Sequence, residues 1–326
     1  NIWDNPTKVS EEFKPELLEK LPKVDTVNIT GGEPFVREDI ENIVKILFTK
    51  TKRIVFSTSG YYSDRIIQLA RKYPQLGFRI SIEGLSCKND ELRGRPGGFD
   101  KGLKTLLELR RMGVKDIGFG ITVSNNNSSD MLQLYELNRN LKMEFATASF
   151  HNSFYFHKYD NKVTNIDEVC GNFDELIQRL MNEKHPKSWF RAFFNLGLIN
   201  YVKGGRRMLP CEAGTENFFI DPYGNVLPCN GMEESCWFDT MGNLHDVEDF
   251  MTLWTGARAK AVRDKVANCP KSCWMIGSAS PVMKKYITKV APWVLKNKLK
   301  VMRGGRVDTT CIPFFHVGNN DKQGLR

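Results

Sequence analysis

The sequence predicts an α/β fold: a parallel sheet, buried on both faces or curved into a barrel, followed by a smaller cysteine-bearing unit. Three observations predict it. Apolar runs rich in β-branched residues alternate with amphipathic stretches up to about residue 150. Small and polar residues follow each run at its carboxyl end, where such folds place their ligand sites. Five of the eight cysteines crowd between Cys211 and Cys273, which suits metal ligation in a reducing compartment better than a secreted disulfide frame.

Residues 10–21 read as the first helical stretch, and Val24-Asp25-Thr26-Val27-Asn28-Ile29 as a short buried strand. The stretch Thr30-Gly31-Gly32-Glu33-Pro34-Phe35-Val36-Arg37-Glu38-Asp39 follows, and the rest of the chain is organised around it. Two glycines permit a tight turn and close approach of backbone to a ligand. Pro34 fixes its own φ and biases Glu33 toward extended backbone, so Glu33 can offer a carboxylate to a ligand ammonium. Ile40, Ile43, Val44 and Leu47 then recur at helical spacing, with Glu38 and Asp39 in an acidic first turn. Taken alone, the stretch also fits an ordinary strand-to-helix turn bearing a solvated glutamate.

Further strands are predicted at residues 53–58, 76–83, 116–123 and 143–150. Between them lie a helix over 63–72 that starts at a Ser63 cap, one carrying Phe99, Leu103, Leu106 and Leu107 that stops near Gly113, and one over 129–141. Residues 173–181 and 189–201 read as a helical bridge. Residues 218–228 read as a hairpin around a Pro-Tyr-Gly-Asn turn. The 326 residues, 41% apolar and 26% charged, describe a globular chain of one and a half to two domains. No apolar run approaches the ~18 residues needed to cross a membrane.

The Gly31-Gly32-Glu33-Pro34 turn resembles the GGEP motif of the radical S-adenosylmethionine (SAM) enzymes. The resemblance implies a partial (βα)6 barrel over residues 1–150, with the first strand and the CxxxCxxC loop for a catalytic 4Fe–4S cluster lying upstream of Asn1. It implies that Gly31, Gly32, Glu33 and Pro34 hold the SAM amino group. Ser57, in the polar tip Ser57-Thr58-Ser59-Gly60, would lie at the next strand end. Ser81 and Glu83 would bind the ribose or carboxylate, and Gly118 and Gly120 would pass beneath the adenine, with Ser124 at that strand's end. Arg93 is placed to pair with the SAM carboxylate, or else is a solvated loop arginine. His151, Asn152, Tyr155 and His157 follow the last barrel strand, beside the substrate's expected place, and His151 or His157 could act as a general base there.

Cys211, then Gly224 after twelve residues, Cys229 after four more, and the distal Cys269-Pro270-Lys271-Ser272-Cys273 form a second constellation. Four thiolates suit an iron–sulfur cluster or a tetrahedral zinc. The spacing resembles the SPASM and twitch domains appended to radical SAM barrels, which implies one auxiliary 4Fe–4S cluster over residues 210–280, after a bridge at 151–209. Cys236 and Cys311 are spare candidate ligands. Cys87 and Cys170 read as ordinary small residues.

Residues 284–306 hold eight Lys and Arg and no acid, and contribute to a formal net charge of +9. Pro292 would start a short helix in this basic tail (281–326), with Leu295, Leu299, Met302 and Trp293 for apolar contact, able to meet an anionic membrane surface or an anionic partner. The leading expectation is a cytoplasmic enzyme, with a solvated face the ordinary reading of the basic stretch and a peripheral membrane contact the alternative. It would abstract a hydrogen atom and dehydrogenate a small sugar- or alcohol-like substrate, fed electrons by a flavodoxin or ferredoxin. A peptide- or protein-modifying maturase is the alternative, and a non-catalytic iron–sulfur or zinc scaffold the contrary reading. Nucleic acid is not expected as a partner.

Overall fold

Each apolar run becomes a strand and each amphipathic stretch a helix that returns the chain, so successive strands pair side by side and parallel. The computed structural model describes residues 8–153, 158–231 and 240–315. In it β1 (Val27–Ile29), β2 (Ile54–Thr58), β3 (Gly77–Ser81), β4 (Ile117–Val123) and β5 (Glu144–Ser149) form one parallel sheet in sequential order. Helices α1 (Ile40–Lys50), α2 (Ser63–Lys72), α3 (Ser86–Arg93), α4 (Gly98–Arg111) and α5 (Ser128–Asn140) make the connections. The result is a half-barrel, the partial barrel the sequence predicts.

Alternation along the strands separates core from cleft. Phe56, Phe78 and Phe119 are fully buried under the helices. Their neighbours Ser57, Arg79, Ser81, Gly120 and Thr122 line the concave side. At the amino end of the sheet Asp116 accepts from Arg53 at 2.9 Å and from Arg79 at 2.5 Å, tying β2, β3 and β4 together far from the strand tips.

Helices α6 (Ile166–Asn182) and α7 (Pro186–Val202) pack on each other beyond β5. The small antiparallel sheet β6 (Phe219–Ile220), β7 (Asn225–Leu227) and β8 (Gly242–Asn243) contains the expected hairpin. Its turn is closed by Asp221, whose Oδ1 accepts from the Tyr223 and Asn225 amides at 2.9 Å, and Gly224 sits at φ +83°. Helices α8 (Phe250–Trp254), α9 (Ala257–Ala267), α10 (Ile276–Lys285) and α11 (Ile287–Met302) complete the chain.

Several local expectations need correction. Residues 10–21 are not one helix but two 3₁₀ turns, Val9–Glu11 and Pro15–Lys20, because Pro15 forces Lys14 into extended backbone. Ser63 does not cap α2; its hydroxyl donates to Gly60 O at 3.2 Å and meets Thr105 Oγ1 at 2.5 Å. Asp39 leaves the first turn of α1 uncapped because Arg37 Nε takes its carboxylate at 2.6 Å. Cys87 is exposed, whereas Cys170 is buried.

Pro292 does not start a helix either. It lies inside α11, exposed, where the carbonyl it leaves without a partner can meet water. The basic stretch is therefore no trailing tail: Val290 and Val294 are buried, and Trp293 packs edge-on against Phe193 at 5.2 Å. Residues 8–21 form a strap between the two parts of the molecule. Phe13 N donates to Pro222 O at 2.8 Å, and Lys20 Nζ donates to Leu244 O at 2.9 Å and Val247 O at 2.7 Å.

Candidate functional site

Glu33 leaves β1 in extended backbone, and its carboxylate is held from three sides. Oε1 accepts from Thr58 Oγ1 at 2.7 Å and from Phe35 N at 3.2 Å. Oε2 accepts from Ser59 N at 2.8 Å and Ser59 Oγ at 2.5 Å. Two of these residues are the tip of β2, so the turn after one strand is pinned by the end of the next. Phe35 anchors the same turn from below, fully buried, with its ring 5.0 Å from that of Phe56. Gly31, at φ +138°, and Gly32 both have open space where a Cβ would stand, and both line the cleft. Ser57 faces the cleft, but Thr58 and Ser59 do the holding. The sequence marked that tip as polar and did not single those two out.

Glu83 and Arg93 meet each other: Arg93 Nη1 donates to Glu83 Oε1 at 3.1 Å, and Thr122 N donates to Oε2 at 2.8 Å. Burial pushes the Glu83 pKa up, and the opposing effects of Arg93 and the Thr122 amide do not cancel it. The arginine is thus neither solvated nor waiting alone; side-chain exposure is 15% for Arg93 and 17% for Glu83. Ser124 is buried in a turn in which its amide and hydroxyl both donate to Asn127 Oδ1, at 2.7 and 3.1 Å. Asn127 Nδ2 in turn donates to Glu83 O at 2.8 Å and Thr122 O at 3.0 Å, locking the ends of β3 and β4. Nothing in the spacing of Asn127 announced this.

The two glycines of β4 part company. Gly120 pairs with Ser81 and has open space on its Cβ side, in the cleft wall. Gly118 is a strand-packing residue instead, because a Cβ there would stand 1.7 Å from Glu144 O of β5. His151 lines the cleft, with Nδ1 3.2 Å from Ser149 O, and burial lowers its pKa, helped by Lys271. Asn152 braces the following loop by accepting from Asn161 N at 2.9 Å. Tyr155, His157 and Cys236 lie outside the described residues.

Cys211, Cys229, Cys269 and Cys273 are all half-buried, and Cys229 lies close enough to feel the other three. Burial, with repulsion from the other three cysteines, pushes the Cys229 thiol up to about 12 despite a hydrogen bond from the Gly231 amide. Among the described residues no three Cys, His, Asp or Glu side chains stand at the spacing that holds a single ion. Four thiols on two loops suit a cluster, in which each sulfur takes a different iron, and also a tetrahedral zinc. Arg207 staples the two cysteine segments: it donates from Nε to Pro210 O at 3.4 Å, from Nη1 to Cys273 O and from Nη2 to Ser278 O at 3.2 Å. One cleft of about 3490 Å³ is lined both by Glu33, Ser59, Arg93 and His151 and by Cys211, Cys229 and Cys273. Cys311 is exposed and outside that lining.

Comparison with known proteins agrees with this division. Residues 3–137 match the radical SAM superfamily, and residues 211–275 match the SPASM iron–sulfur cluster-binding domain. Fe-coproporphyrin III synthase of Methanosarcina barkeri is 32% identical over 135 residues, covering 40% of this chain and 33% of that protein. Sporulation killing factor maturation protein SkfB of Bacillus subtilis is 24% identical over 283 residues, 81% of this chain and 62% of that one. The chain thus spans from a third to under two thirds of the length of these relatives. The solved structure of anSMEcpe with bound AdoMet and a Cp18Cys peptide superposes with a TM-score of 0.56 at 13% identity, over 89% of this chain and 91% of that one, and so shares the fold.

Proposed function

The chain is a radical SAM protein with a SPASM-type cluster domain, and from that premise we propose that it modifies a peptide by SAM-dependent hydrogen abstraction. The observation that carries the proposal is the continuous cleft joining the Glu33 turn to the cysteine loops. A substrate lying in it faces both. Relatives that align across both domains bear maturation in their names. These points favour a peptide over the small alcohol or sugar that the sequence first suggested.

In this reading Gly31, Gly32 and the pinned Glu33 hold the SAM ammonium, while Gly120 leaves room for the adenine. The Glu83–Arg93 pair stands where the ribose and carboxylate would lie. Pro34 sets the turn, and Ser57, Ser81 and Ser124 belong to the surrounding wall. Cys211, Cys229, Cys269 and Cys273 hold an auxiliary 4Fe–4S cluster. When bound, SAM and the clusters supply one-electron chemistry at an unactivated C–H bond. The chain's part is to orient both reactants and exclude water. His151, held with its pKa lowered, is a neutral hydrogen-bonding group at the substrate's end of the cleft.

The full-length protein, reconstituted anaerobically and given SAM, a reductant and a panel of peptides, polyols and iron porphyrins, should form 5′-deoxyadenosine fastest with a peptide. Stimulation by polyols would return the reading to alcohol dehydrogenation, and no turnover with any would favour the scaffold. Iron content should fall in Arg207→Ala, with cluster absorbance lost in proportion; stoichiometric zinc without iron would overturn the cluster assignment.

A further inference from the structure

Helix α11 presents to solvent a face that neither the barrel nor the cysteine unit uses. Of the eight cations between 284 and 306, most are engaged within the molecule. Lys284 pairs with Asp25, and Lys285 pairs with Glu212 at 3.2 Å and Glu216 at 2.9 Å. Lys298 Nζ donates to Met181 O at 2.8 Å and Glu183 O at 3.0 Å, at the end of α6, beneath the Trp189 ring. Arg306 pairs with Asp174 at 3.2 Å, and Lys289 lies 5.8 Å from the Tyr286 ring centre. Among the described residues that leaves Lys296, Lys300 and Arg303 without a side-chain partner, all exposed.

Helical spacing puts these three at i, i+4 and i+7, on one outward stripe. Leu295, Leu299 and Met302 repeat the same interval one residue earlier, forming a parallel stripe, and are 55%, 53% and 69% exposed. The inward face, with Val290 and Val294, is already committed to the core. Asp308 lies near enough to Lys300 to feel its charge, and its Oδ1 accepts from Thr310 N at 2.9 Å and Thr310 Oγ1 at 2.6 Å.

We propose that this two-striped face of α11 docks the protein on an anionic lipid bilayer. Leu295, Leu299 and Met302 would enter the headgroup boundary, and Lys296, Lys300 and Arg303 would meet lipid phosphates. A bilayer accepts apolar and cationic stripes side by side, because long cationic side chains reach up to the phosphates while their neighbours sink. A second copy is a poorer occupant, since a two-fold contact through this face brings like charges together. The face lies on a docked helix, so attachment costs no folding of that helix. No described helix is long and apolar enough to cross the membrane, so the contact is peripheral.

The test is co-sedimentation of the full-length protein with vesicles of phosphatidylglycerol and phosphatidylcholine, beside vesicles of phosphatidylcholine alone. Wild type should bind the anionic vesicles only, and raised salt should release it. Lys296→Glu with Lys300→Glu should weaken binding by about tenfold or more. Leu295→Ser with Leu299→Ser should weaken it while leaving its salt dependence in place. These positions are exposed, so circular dichroism should be unchanged in both variants. Wild type that ignores anionic vesicles at low salt overturns the proposal. So does binding that survives both pairs of substitutions, or a dimer that Leu295→Ser with Leu299→Ser dissolves.

Discussion

Arg37 grips Phe13 twice: its Nη2 donates to the Phe13 carbonyl, and its guanidinium lies 4.9 Å from the centre of the Phe13 ring. Phe13 spends its amide on Pro222 O at 2.8 Å. A single residue therefore touches both the turn that carries Glu33 and the hairpin that leads to Cys229. Arg37→Ala should cost about 2 kcal/mol of stability in denaturant unfolding, and it should weaken SAM binding although Arg37 is not assigned to SAM. Arg37→Lys should recover part of the stability and little of the geometry, because an ammonium cannot reproduce the fork. Unaltered SAM affinity in both variants would uncouple the strap from the site.

Thr58 and Ser59 position Glu33 without being assigned to the ligand. Thr58→Val removes the 2.7 Å bond to Oε1 while keeping side-chain volume. The expected loss is about 1 kcal/mol of SAM affinity by calorimetry, with little change in thermal midpoint beyond that of the two hydrogen bonds removed, since Thr58 Oγ1 also accepts from Gly60 N at 3.2 Å. Glu33→Gln should cost more, about 1–3 kcal/mol, since it removes the charge as well. Equal losses in the two variants would mean that Glu33 is only a structural brace.

The glycines of β4 offer a contrast within one strand. Gly118→Ala drives a methyl into Glu144 O and should destabilise by about 1–3 kcal/mol or more. Gly120→Ala meets nothing within 4 Å and should leave stability almost unchanged. If Gly120 faces the adenine, that second alanine should still weaken SAM binding. Denaturant midpoints and calorimetry on the two variants separate the roles.

Asp116 is where pH should tell on the sheet itself. Burial raises its pKa, but Arg79 and Arg53 together outweigh burial and hold it below the ordinary range. A carboxylate with a depressed folded pKa contributes stability above its unfolded pKa and loses it as pH falls through the folded one. Stability measured against pH should therefore fall below about pH 4. Asp116→Asn should remove roughly 2 kcal/mol at neutral pH and flatten that acid limb. An unchanged limb would assign it to other carboxylates.

Much of the barrel was legible because its signals are local. The alternation around Phe56, Phe78 and Phe119 fixes strands, and the Gly31-Gly32-Glu33-Pro34 turn marks the carboxyl end of the first. The cysteine-bearing unit was legible by the spacing that matches the SPASM domain. What stayed hidden depends on partners distant in sequence. Trp293 reads as surface-seeking beside its lysines, yet Phe193 draws it inward. Arg93 reads as free, yet Glu83 meets it. Gly118 and Gly120 look equivalent until β5 is placed beside one of them. The 3₁₀ turns at 9–20 lost their helix to Pro15, a breaker present in the sequence and given too little weight.

The strap also says something about the order in which the molecule can assemble. Lys20 closes on Leu244 across 224 residues, and Lys284 closes on Asp25 across 259. Such contacts have the longest loops to close and reward the chain last. On the ribosome, the segment around Phe13 must wait, its apolar side chains uncovered, until the small sheet has been made. Leu17, buried in the finished fold against the Gly224 turn as well as α1, is open to wrong partners during that interval. Slow refolding with transient aggregation, relieved by a chaperone that covers short apolar segments, is the kinetic consequence of a strap that spans both domains.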